Sequence, residues 1–200
     1  MPPPDFRIER ECPGPVVGVD EAGRGPMAGP VVAAAAILDR RRCPRGIDDS
    51  KKLCIERRET IAGRLKSSAR IGVGIADVEE IDRLNIFWAT MLAMTRAVEA
   101  LGIEPGMVLV DGNALPRWRY TARAIVGGDA RCKSIAAASI VAKATRDAIM
   151  RKADIEHPGY GWAHNAGYCT PEHRAALAER GPTPLHRRSF APVAQRMLGL

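Results

Sequence analysis

Residues 18–26, Gly-Val-Asp-Glu-Ala-Gly-Arg-Gly-Pro, constrain the fold of this chain more than any other stretch. The apolar residues 15–19 that lead into it predict a buried strand, because an unbroken apolar run of this length is typical of one. Asp20 and Glu21 then stand at the edge of a sheet, where small residues let the backbone turn and approach closely. Residues 31–38 form a second apolar run, so the stretch predicts a β-hairpin with two carboxylates beside its turn.

An acidic pair at the end of a strand is usually a solvated turn, and that interpretation has to be weighed against the neighbouring residues. Gly23, Gly25 and Pro26 restrict the backbone more than a solvated turn requires. A carboxylate pair beside a basic loop that exposes its backbone suits a divalent cation bound to a phosphodiester. The pattern therefore favours a binding site over a plain turn.

Size and charge fit one globular domain with a polyanionic partner. The chain has 200 residues, of which 46% are hydrophobic, and this is enough to bury a substantial core. Thirty Lys and Arg against 23 Asp and Glu give a formal net charge of +7, which suits nucleic acid without proving it. We find no internal repeat, linker or low-complexity tract, and we expect a single domain over residues 1–200.

The sequence carries no targeting or membrane signal. Its first residues contain no apolar stretch typical of a signal peptide, and no run of about 18 apolar residues occurs. We therefore expect a soluble, cytoplasmic protein that does not associate with a membrane. The five cysteines are scattered, odd in number and without a CxxC pair, which fits reduced thiols rather than a disulfide scaffold or a zinc site.

The rest of the chain alternates strand and helix patterns. A third strand is predicted at residues 69–76, and three consecutive strands favour a meander. Thr170 is a candidate helix cap, with Pro171 as the first helical residue. The other predicted elements are a polar helix capped by Asp49 or Ser50 and ending near Lys66, an acidic turn at 77–82, an amphipathic helix at 84–101, strands at 107–112 and 120–126, a helix from about 134 to 155, and a short helix at 191–200.

Acidic residues also follow two of the later strands. Asp111 ends the strand predicted at 107–112, and Asp129 follows the next one after two glycines. In an open α/β sheet, residues distant in sequence converge in the crevice outside the strand ends. We therefore expect these two acids to approach Asp20 and Glu21. For Asp111 taken alone, a turn residue is an equally good interpretation.

Seven motifs occur in order along the chain, and together they resemble bacterial ribonuclease HII from about residue 17 to residue 193. No single motif would justify the resemblance, but their order and spacing do. The motifs are the stretch 18–26 quoted above, Asp49-Ser-Lys-Lys-Leu53, Val110-Asp-Gly-Asn113, Gly128-Asp129, the stretch from Ser134 to Asp147, the stretch from His164 to His173, and His186-Arg-Arg-Ser-Phe190.

The resemblance implies an α/β fold of the ribonuclease H type. In such a fold a mixed central β-sheet is flanked by helices, and additional C-terminal helices close one side of the substrate groove. It implies a catalytic core at about residues 16–156 and a C-terminal helical region at about 157–200. The implied activity is endonucleolytic: hydrolysis of the RNA strand of RNA–DNA hybrids and nicking 5′ to single ribonucleotides in duplex DNA. Removal of misincorporated ribonucleotides is the implied role.

The resemblance also assigns roles by position in the motifs. It implies that Asp20, Glu21, Asp111 and Asp129 bind metal and that Gly23, Arg24, Gly25 and Tyr168 sense the ribonucleotide. Two divalent ions roughly 3.5–4 Å apart activate water and stabilise the leaving 3′ oxygen, which gives 3′-hydroxyl and 5′-phosphate ends. Carboxylates suit Mg²⁺ or Mn²⁺ better than zinc, which favours His and Cys. For Tyr168 the alternative is a loop aromatic packed onto a helix.

Other polar residues of the motifs are candidate substrate contacts, although each is equally well explained as a solvated or helix-packing residue. They are Lys51, Lys52, Lys143 and Arg146 as phosphate contacts and Ser139 as a hydroxyl donor. Asp147, beside Arg146, is more simply a structural partner. For the four histidines we expect exposed or capping positions rather than a proton shuttle.

The chain departs from the family pattern at three positions, none of them a carboxylate. Gly128 stands where a lysine is common, Cys54 where a serine is common, and Cys169 where a proline is common. The first departure would lower the local positive potential, so metal affinity or salt dependence could differ.

Two other interpretations stay open, a ribonuclease HIII-like hybrid nuclease and a non-catalytic nucleic-acid-binding module. The lack of a large extension before Asp20 and the motif around Tyr168 disfavour the first, and the four carboxylates disfavour the second. A nucleotide-binding enzyme is excluded because no GxxxxGK[ST] occurs. We expect a monomer whose candidate partners, besides the nucleic acid, are a sliding clamp or replication and repair proteins.

Overall fold

The computed structural model describes residues 3–48, 50 and 52–199. Asp49, a predicted helix cap, and Lys51, a predicted phosphate contact, lie outside the described residues. The strands are β1 (Val16–Ala22), β2 (Val31–Leu38), β3 (Ala69–Ala76), β4 (Met107–Asp111) and β5 (Ala122–Ile125). The helices are α1 (Arg7–Arg10), α2 (Ile55–Ser68), α3 (Val78–Glu99), α4 (Lys133–Glu156), α5 (Trp162–Asn165), α6 (Pro171–Arg180) and α7 (Ala191–Met197), and a 3-10 turn covers Gly128–Ala130.

The strands form one mixed sheet in the order β3-β2-β1-β4-β5. β1 pairs antiparallel with β2, and β2 pairs antiparallel with β3, which confirms the predicted hairpin and meander. β4 lies parallel to β1, and β5 lies parallel to β4. The carboxyl ends of β1, β4 and β5 therefore meet at one edge of the sheet.

Helices cover both faces of this sheet, as an α/β fold requires. On one face, Val17, Val19 and Val31 pack with residues of α3 such as Met94. On the other face, alanines of β2 pack with α2 and α4. The sheet carries small residues where a helix comes close: a Cβ at Gly18 would lie 2.2 Å from the Ser134 carbonyl carbon, so only glycine lets α4 lie directly against β1.

The start of α3 corrects the predicted acidic turn at 77–82. The helix begins at Val78, and Asp77 caps it: its carboxylate accepts from the Glu80 amide at 2.8 Å, and the Glu80 carboxylate accepts from the Asp77 amide at 3.1 Å. This capping box turns the acidic residues into the first turn of the helix. Non-helical backbone at Asn85 then interrupts α3 near the start of the helix predicted at 84–101.

Other boundaries differ from the predictions in ways that bear on the candidate site. β1 continues to Ala22, so Asp20 and Glu21 lie within the strand rather than beyond it. α2 begins at Ile55 after Cys54, and Ser50, a predicted cap, has instead a buried hydroxyl bonded to Ser139. β5 is shorter than the strand predicted at 120–126.

The C-terminal part adds short helices to the core. The Thr170 hydroxyl accepts from the His173 amide at 3.2 Å and Pro171 opens α6, as predicted. The short helix predicted at 191–200 is α7. Among the described residues, no helix is both long enough and apolar enough to cross a membrane.

Candidate active site

Parallel pairing of β1 with β4 brings carboxylates from two distant segments to one edge of the sheet. Val19 lies opposite Val110, so the next residues along the two strands, Asp20 and Asp111, are neighbours. Glu21 follows on β1. The expected convergence of Asp111 with the first two acids is thus found, and the pairing register explains it.

These carboxylates open onto a cavity of about 230 Å³ that most of the predicted site residues share. Its lining consists of Asp20, Glu21, Ala22, Gly23, Arg24, Gly25, Ser50, Asp111, Ser139, Lys143, Arg146 and Tyr168. Two predicted site residues, Asp129 and Lys52, do not line it. Ser50, which was predicted only as a helix cap, also lines the cavity.

Asp20 is buried at the centre of this acidic cluster. It is 5% exposed, and its burial raises the pKa of its carboxyl well above the usual range, with repulsion from Glu21 and Asp111 adding to the effect. A hydrogen bond with Ser139 and one from the Glu21 amide, at 2.7 Å, act in the opposite direction. Three negative groups are therefore held at one place at a cost in electrostatic energy.

Glu21 is affected by the same surroundings. Its burial raises the pKa of its carboxyl, the Arg24 guanidinium lowers it, and Asp111 raises it. The Arg24 Nη1 lies 3.4 Å from the Glu21 Oε1. One side chain of the Gly-Arg-Gly loop therefore partly neutralises the acidic cluster.

The residue before Asp129 bonds to the acidic cluster. The Gly128 amide donates to the Asp111 Oδ1 at 2.7 Å, and Gly128 opens the 3-10 turn that carries the buried Asp129. A Cβ at Gly128 would lie 2.6 Å from the Ile135 Cδ1, so the glycine allows this turn to pack against α4. In the described part of the chain, no group of three or more His, Cys, Asp or Glu side chains is arranged to hold a metal ion.

The Gly-Arg-Gly loop and Tyr168 lie next to each other in the lining of the cavity. Tyr168 is 48% exposed, and a Cβ at Gly25 would lie 3.4 Å from its ring. Gly23 has φ +99°, a conformation that side chains rarely adopt. The ring therefore opens onto the cavity beside a loop that carries no side chain at its two glycines.

The predicted basic contacts have different surroundings. The Lys143 Nζ lies 2.5 Å from the Asp147 Oδ1, and Asp147 also faces Arg58 at 3.4 Å, which fits the structural pairing predicted for this acid. Lys52 is exposed, 3.5 Å from Asp48. Arg146 is buried and donates to three backbone carbonyls, which favours its helix-packing interpretation; desolvation lowers its pKa to about 10.

Two histidines lie in the interior, contrary to the expectation of exposed or capping positions. His173 and His186 are buried among Tyr160 and Trp162, with ring centroids 5.0–6.0 Å apart. Their ring nitrogens are engaged with protein groups, which is why burial is tolerated. Sequence spacing gave no sign of this cluster because its members come from separate helices and loops.

Arg187 is a second residue that sequence reasoning missed. It was quoted within a motif and given no role, yet it is fully buried and bonds to the carbonyls of Gly23 and Arg24. A buried arginine without a run of apolar neighbours leaves no periodic signal.

The chain is similar to proteins of known class. A family model described as Ribonuclease HII matches residues 17–193. The chain is 65% identical over 195 residues to a protein described as Ribonuclease HII from Rhizorhabdus wittichii, covering 98% of this chain and 96% of that protein.

Solved structures agree with this match. The ribonuclease H2 from Pyrococcus horikoshii aligns with a TM-score of 0.78 at 27% identity, covering 92% of this chain and 97% of that one. A structure of the PCNA:RNase HII complex from Archaeoglobus fulgidus aligns with a TM-score of 0.76 at 25% identity, covering 90% of this chain and 96% of that one. The mixed sheet with helices on both faces is the fold expected from the sequence motifs.

Proposed function

Because the chain belongs to the ribonuclease HII family and is therefore a ribonuclease H endonuclease, we propose that it also nicks duplex DNA 5′ to a single embedded ribonucleotide. The observation that carries this proposal is the composition of the cavity. Acids from β1 and β4, the Gly-Arg-Gly loop and Tyr168 line the same cavity. A reacting phosphodiester and the sugar next to it would then be held by the same cavity.

The donor set fits divalent metal ions. The buried Asp20 lies beside Glu21 and Asp111, and their repulsion is relieved by a divalent cation. All donors are oxygens, which suits Mg²⁺ or Mn²⁺. We assign the ligand role to Asp20, Glu21, Asp111 and Asp129, with two ions in the active complex. When bound, such ions supply an activated water and stabilise the leaving oxygen.

The protein's own residues position the substrate. Ser139 bonds to Asp20 and to the Ser50 hydroxyl at 2.9 Å, so it orients the buried carboxylate from the side of α4. In our proposal the Tyr168 hydroxyl and the loop backbone read the 2′-hydroxyl, since that group distinguishes RNA from DNA. Lys143 is held in place by Asp147 and lines the cavity, and we assign it the contact with the phosphate. Cleavage would leave 3′-hydroxyl and 5′-phosphate ends.

The biological setting is part of the same proposal. Removal of misincorporated ribonucleotides from DNA needs this specificity, and a net charge of +7 favours a polyanionic duplex. A sliding clamp is a candidate partner because the Archaeoglobus fulgidus structure is a PCNA:RNase HII complex. We propose a monomer that acts in the cytoplasm, where these substrates are.

The test uses an end-labelled DNA duplex with one ribonucleotide, incubated with Mg²⁺, Mn²⁺ or EDTA. We expect a metal-dependent nick 5′ to the ribonucleotide, with the stated end groups, and no nick in the matched all-DNA duplex. Cleavage of long hybrids alone would disprove the single-ribonucleotide specificity. Binding without any cleavage would favour the non-catalytic interpretation.

A further inference from the structure

A fully buried arginine lies directly behind the Gly-Arg-Gly loop. Arg187 donates to the carbonyl oxygens of Gly23 at 2.6 Å, Arg24 at 3.0 Å and Gly29 at 2.9 Å, with a longer bond of 3.2 Å to Pro30. A buried charge is tolerated only when its donors are satisfied, so these bonds are strongly favoured over alternatives. Desolvation and the nearby charge of Arg146 lower the Arg187 pKa to about 9.

These bonds fix the direction of the loop's peptide groups. In a trans peptide the carbonyl and the following amide point to opposite sides. Since the carbonyls of Gly23 and Arg24 point to Arg187, the amides of Arg24 and Gly25 point away from it. Among the described residues, neither amide donates to a backbone carbonyl. Arg187 therefore determines which backbone groups the loop can offer to a ligand.

The segment that carries Arg187 also pairs with the chain just beyond the loop. The Gly29 amide donates to the Leu185 carbonyl at 2.8 Å, and the Arg187 amide donates to the Met27 carbonyl at 2.9 Å. Asp82 of α3 accepts from the two amides that follow Arg187, each at 2.9 Å. Residues 185–187, which we call the linking segment, are thus fixed at both ends.

The same segment is connected to Tyr168 through a histidine pair. The Thr183 amide donates to the His186 Nδ1 at 3.0 Å, so the proton of this neutral ring is on Nε2. His186 Nε2 lies 3.1 Å from His173 Nε2, and His173 Nδ1 lies 2.9 Å from the Tyr168 carbonyl, which requires a proton on that Nδ1. His173 is therefore held between His186 and the Tyr168 backbone.

We propose that the linking segment is the specificity-setting element of the site, with Arg187 positioning the Gly-Arg-Gly backbone and His186, through His173, positioning Tyr168. Two adjacent residues thereby set the position of the Gly-Arg-Gly loop relative to Tyr168. Both are positioning residues, because neither lines the cavity. The inference rests on the proposed function, since this relative position matters only if these groups read a sugar.

The first test compares Arg187→Lys with the wild-type protein. Lysine keeps the charge but lacks the planar fork that reaches several carbonyls. On the single-ribonucleotide duplex we expect kcat/KM to fall about 100-fold, as for a small misplacement of the reacting groups. In EDTA, the preference in binding for this duplex over the all-DNA duplex should also disappear. A purely structural role would leave that preference in the folded protein unchanged.

The matched control is Val193→Ala, and an activity-independent measurement accompanies it. Val193 is buried beside Met27 and Phe190, so its truncation loosens packing next to the linking segment without removing a bond to the loop. We expect its kcat and binding preference to match the wild type. In the absence of substrate, ¹⁵N order parameters of Arg24 and Gly25 should fall below about 0.6 in Arg187→Lys but not in Val193→Ala.

A second variant covers the case in which Arg187→Lys fails to fold. His186→Gln leaves Arg187 intact, and we expect it to lower kcat on the single-ribonucleotide duplex with an unchanged order parameter at Arg24. The inference is overturned if the wild type nicks the duplex and both variants keep its kcat and binding preference. If the wild type itself does not nick, the proposed function is wrong and the inference is withdrawn with it.

Discussion

Asp20 is placed where ionisation opposes folding. Burial and two neighbouring acids raise the pKa of its carboxyl, so its charge destabilises the metal-free native protein at neutral pH. We expect Asp20→Asn to raise the free energy of unfolding in EDTA by about 1 kcal/mol, or about 2–4 °C in melting temperature. Nicking in Mg²⁺ should fall at least about 100-fold.

Urea unfolding and nicking rates, measured on the same preparations, test this prediction. Glu104→Gln is the control, because Glu104 pairs only with the exposed Arg119 and should leave both quantities unchanged. An Asp20→Asn protein that is less stable than the wild type in EDTA would show that hydrogen bonding, rather than repulsion, dominates at this carboxylate.

Tyr168 offers its ring and its backbone to different partners. The carbonyl accepts from His173, whereas the ring is about half exposed to the cavity, so Tyr168→Phe should remove the hydroxyl without moving the residue. We expect kcat/KM on the single-ribonucleotide duplex to fall about tenfold, the effect of one lost hydrogen bond. The free energy of unfolding should stay within about 0.5 kcal/mol. Unchanged nicking would contradict a role for the hydroxyl.

The sequence made some of these residues recognisable and concealed others. Asp20 and Glu21 follow an apolar run, so their place at a strand end could be inferred from periodicity. Ser50, Arg187 and the histidine pair act through hydrogen bonds to distant backbone or side-chain groups. Such bonds depend on tertiary packing, and no local pattern encodes them.

Helix α3 shows the same limit at the scale of an element. The Asp77-x-x-Glu80 pattern is a capping signal, and with it the helix start at Val78 was accessible from the sequence. The break at Asn85 was not, because no local residue pattern predicts its φ of 68° and ψ of 164°. The Asn85 side chain accepts from the amides of Phe87 at 2.9 Å and Trp88 at 3.2 Å, and so caps the second half of the helix.

This break permits a prediction about the helix. Asn85→Ala removes the cap and keeps the backbone strain that the wild type already has, so the free energy of unfolding should fall by about 1 kcal/mol. Asn85→Gly removes the cap but relieves the strain, and should cost less than about 1 kcal/mol. Urea unfolding of the two variants compares the effect of the lost cap with that of the backbone strain. A glycine variant less stable than the alanine variant would show that backbone strain is unimportant here.

For the whole molecule, the strand pattern predicted the meander β1-β2-β3 but not the pairing of β4 and β5. Short apolar runs such as residues 107–111 fit any buried strand, so the sequence did not predict that β4 lies parallel to β1 or that β5 lies parallel to β4. The parallel register brings Asp111 beside Asp20. The convergence of these acids was expected because strand ends meet at one crevice in an open α/β sheet, whereas the register that produces it depends on long-range topology, which no local pattern encodes.

Two buried clusters give the stability of the whole molecule opposite pH dependences. Desolvation, together with His173 and His157, lowers the His186 pKa to about 4, and burial also lowers the His173 pKa. Below pH about 6.5 the histidines of the unfolded chain are protonated, whereas those of the native protein stay neutral. The free energy of unfolding therefore falls as the pH falls toward 4, by about 3 kcal/mol at most. The acids at Asp20 and Glu21 have raised pKa values and act with the opposite sign.

On the metal site proposed above, Mg²⁺ binds the acids and not the buried histidines, so the two contributions can be separated. Saturating Mg²⁺ should hold the acids ionised, so urea unfolding between pH 7 and pH 4.5 should show the full histidine slope, and EDTA should make the slope shallower. His164→Gln, at an exposed position, should keep the slope, whereas His186→Gln should flatten it from a lower starting stability. If stability in Mg²⁺ were independent of pH over this range, the native histidine pair would have to accept a proton as readily as the unfolded chain. The bonds from Thr183 to His186 and from His173 to Tyr168 would then not hold both rings neutral, and the proposed connection between the linking segment and Tyr168 would be lost with them.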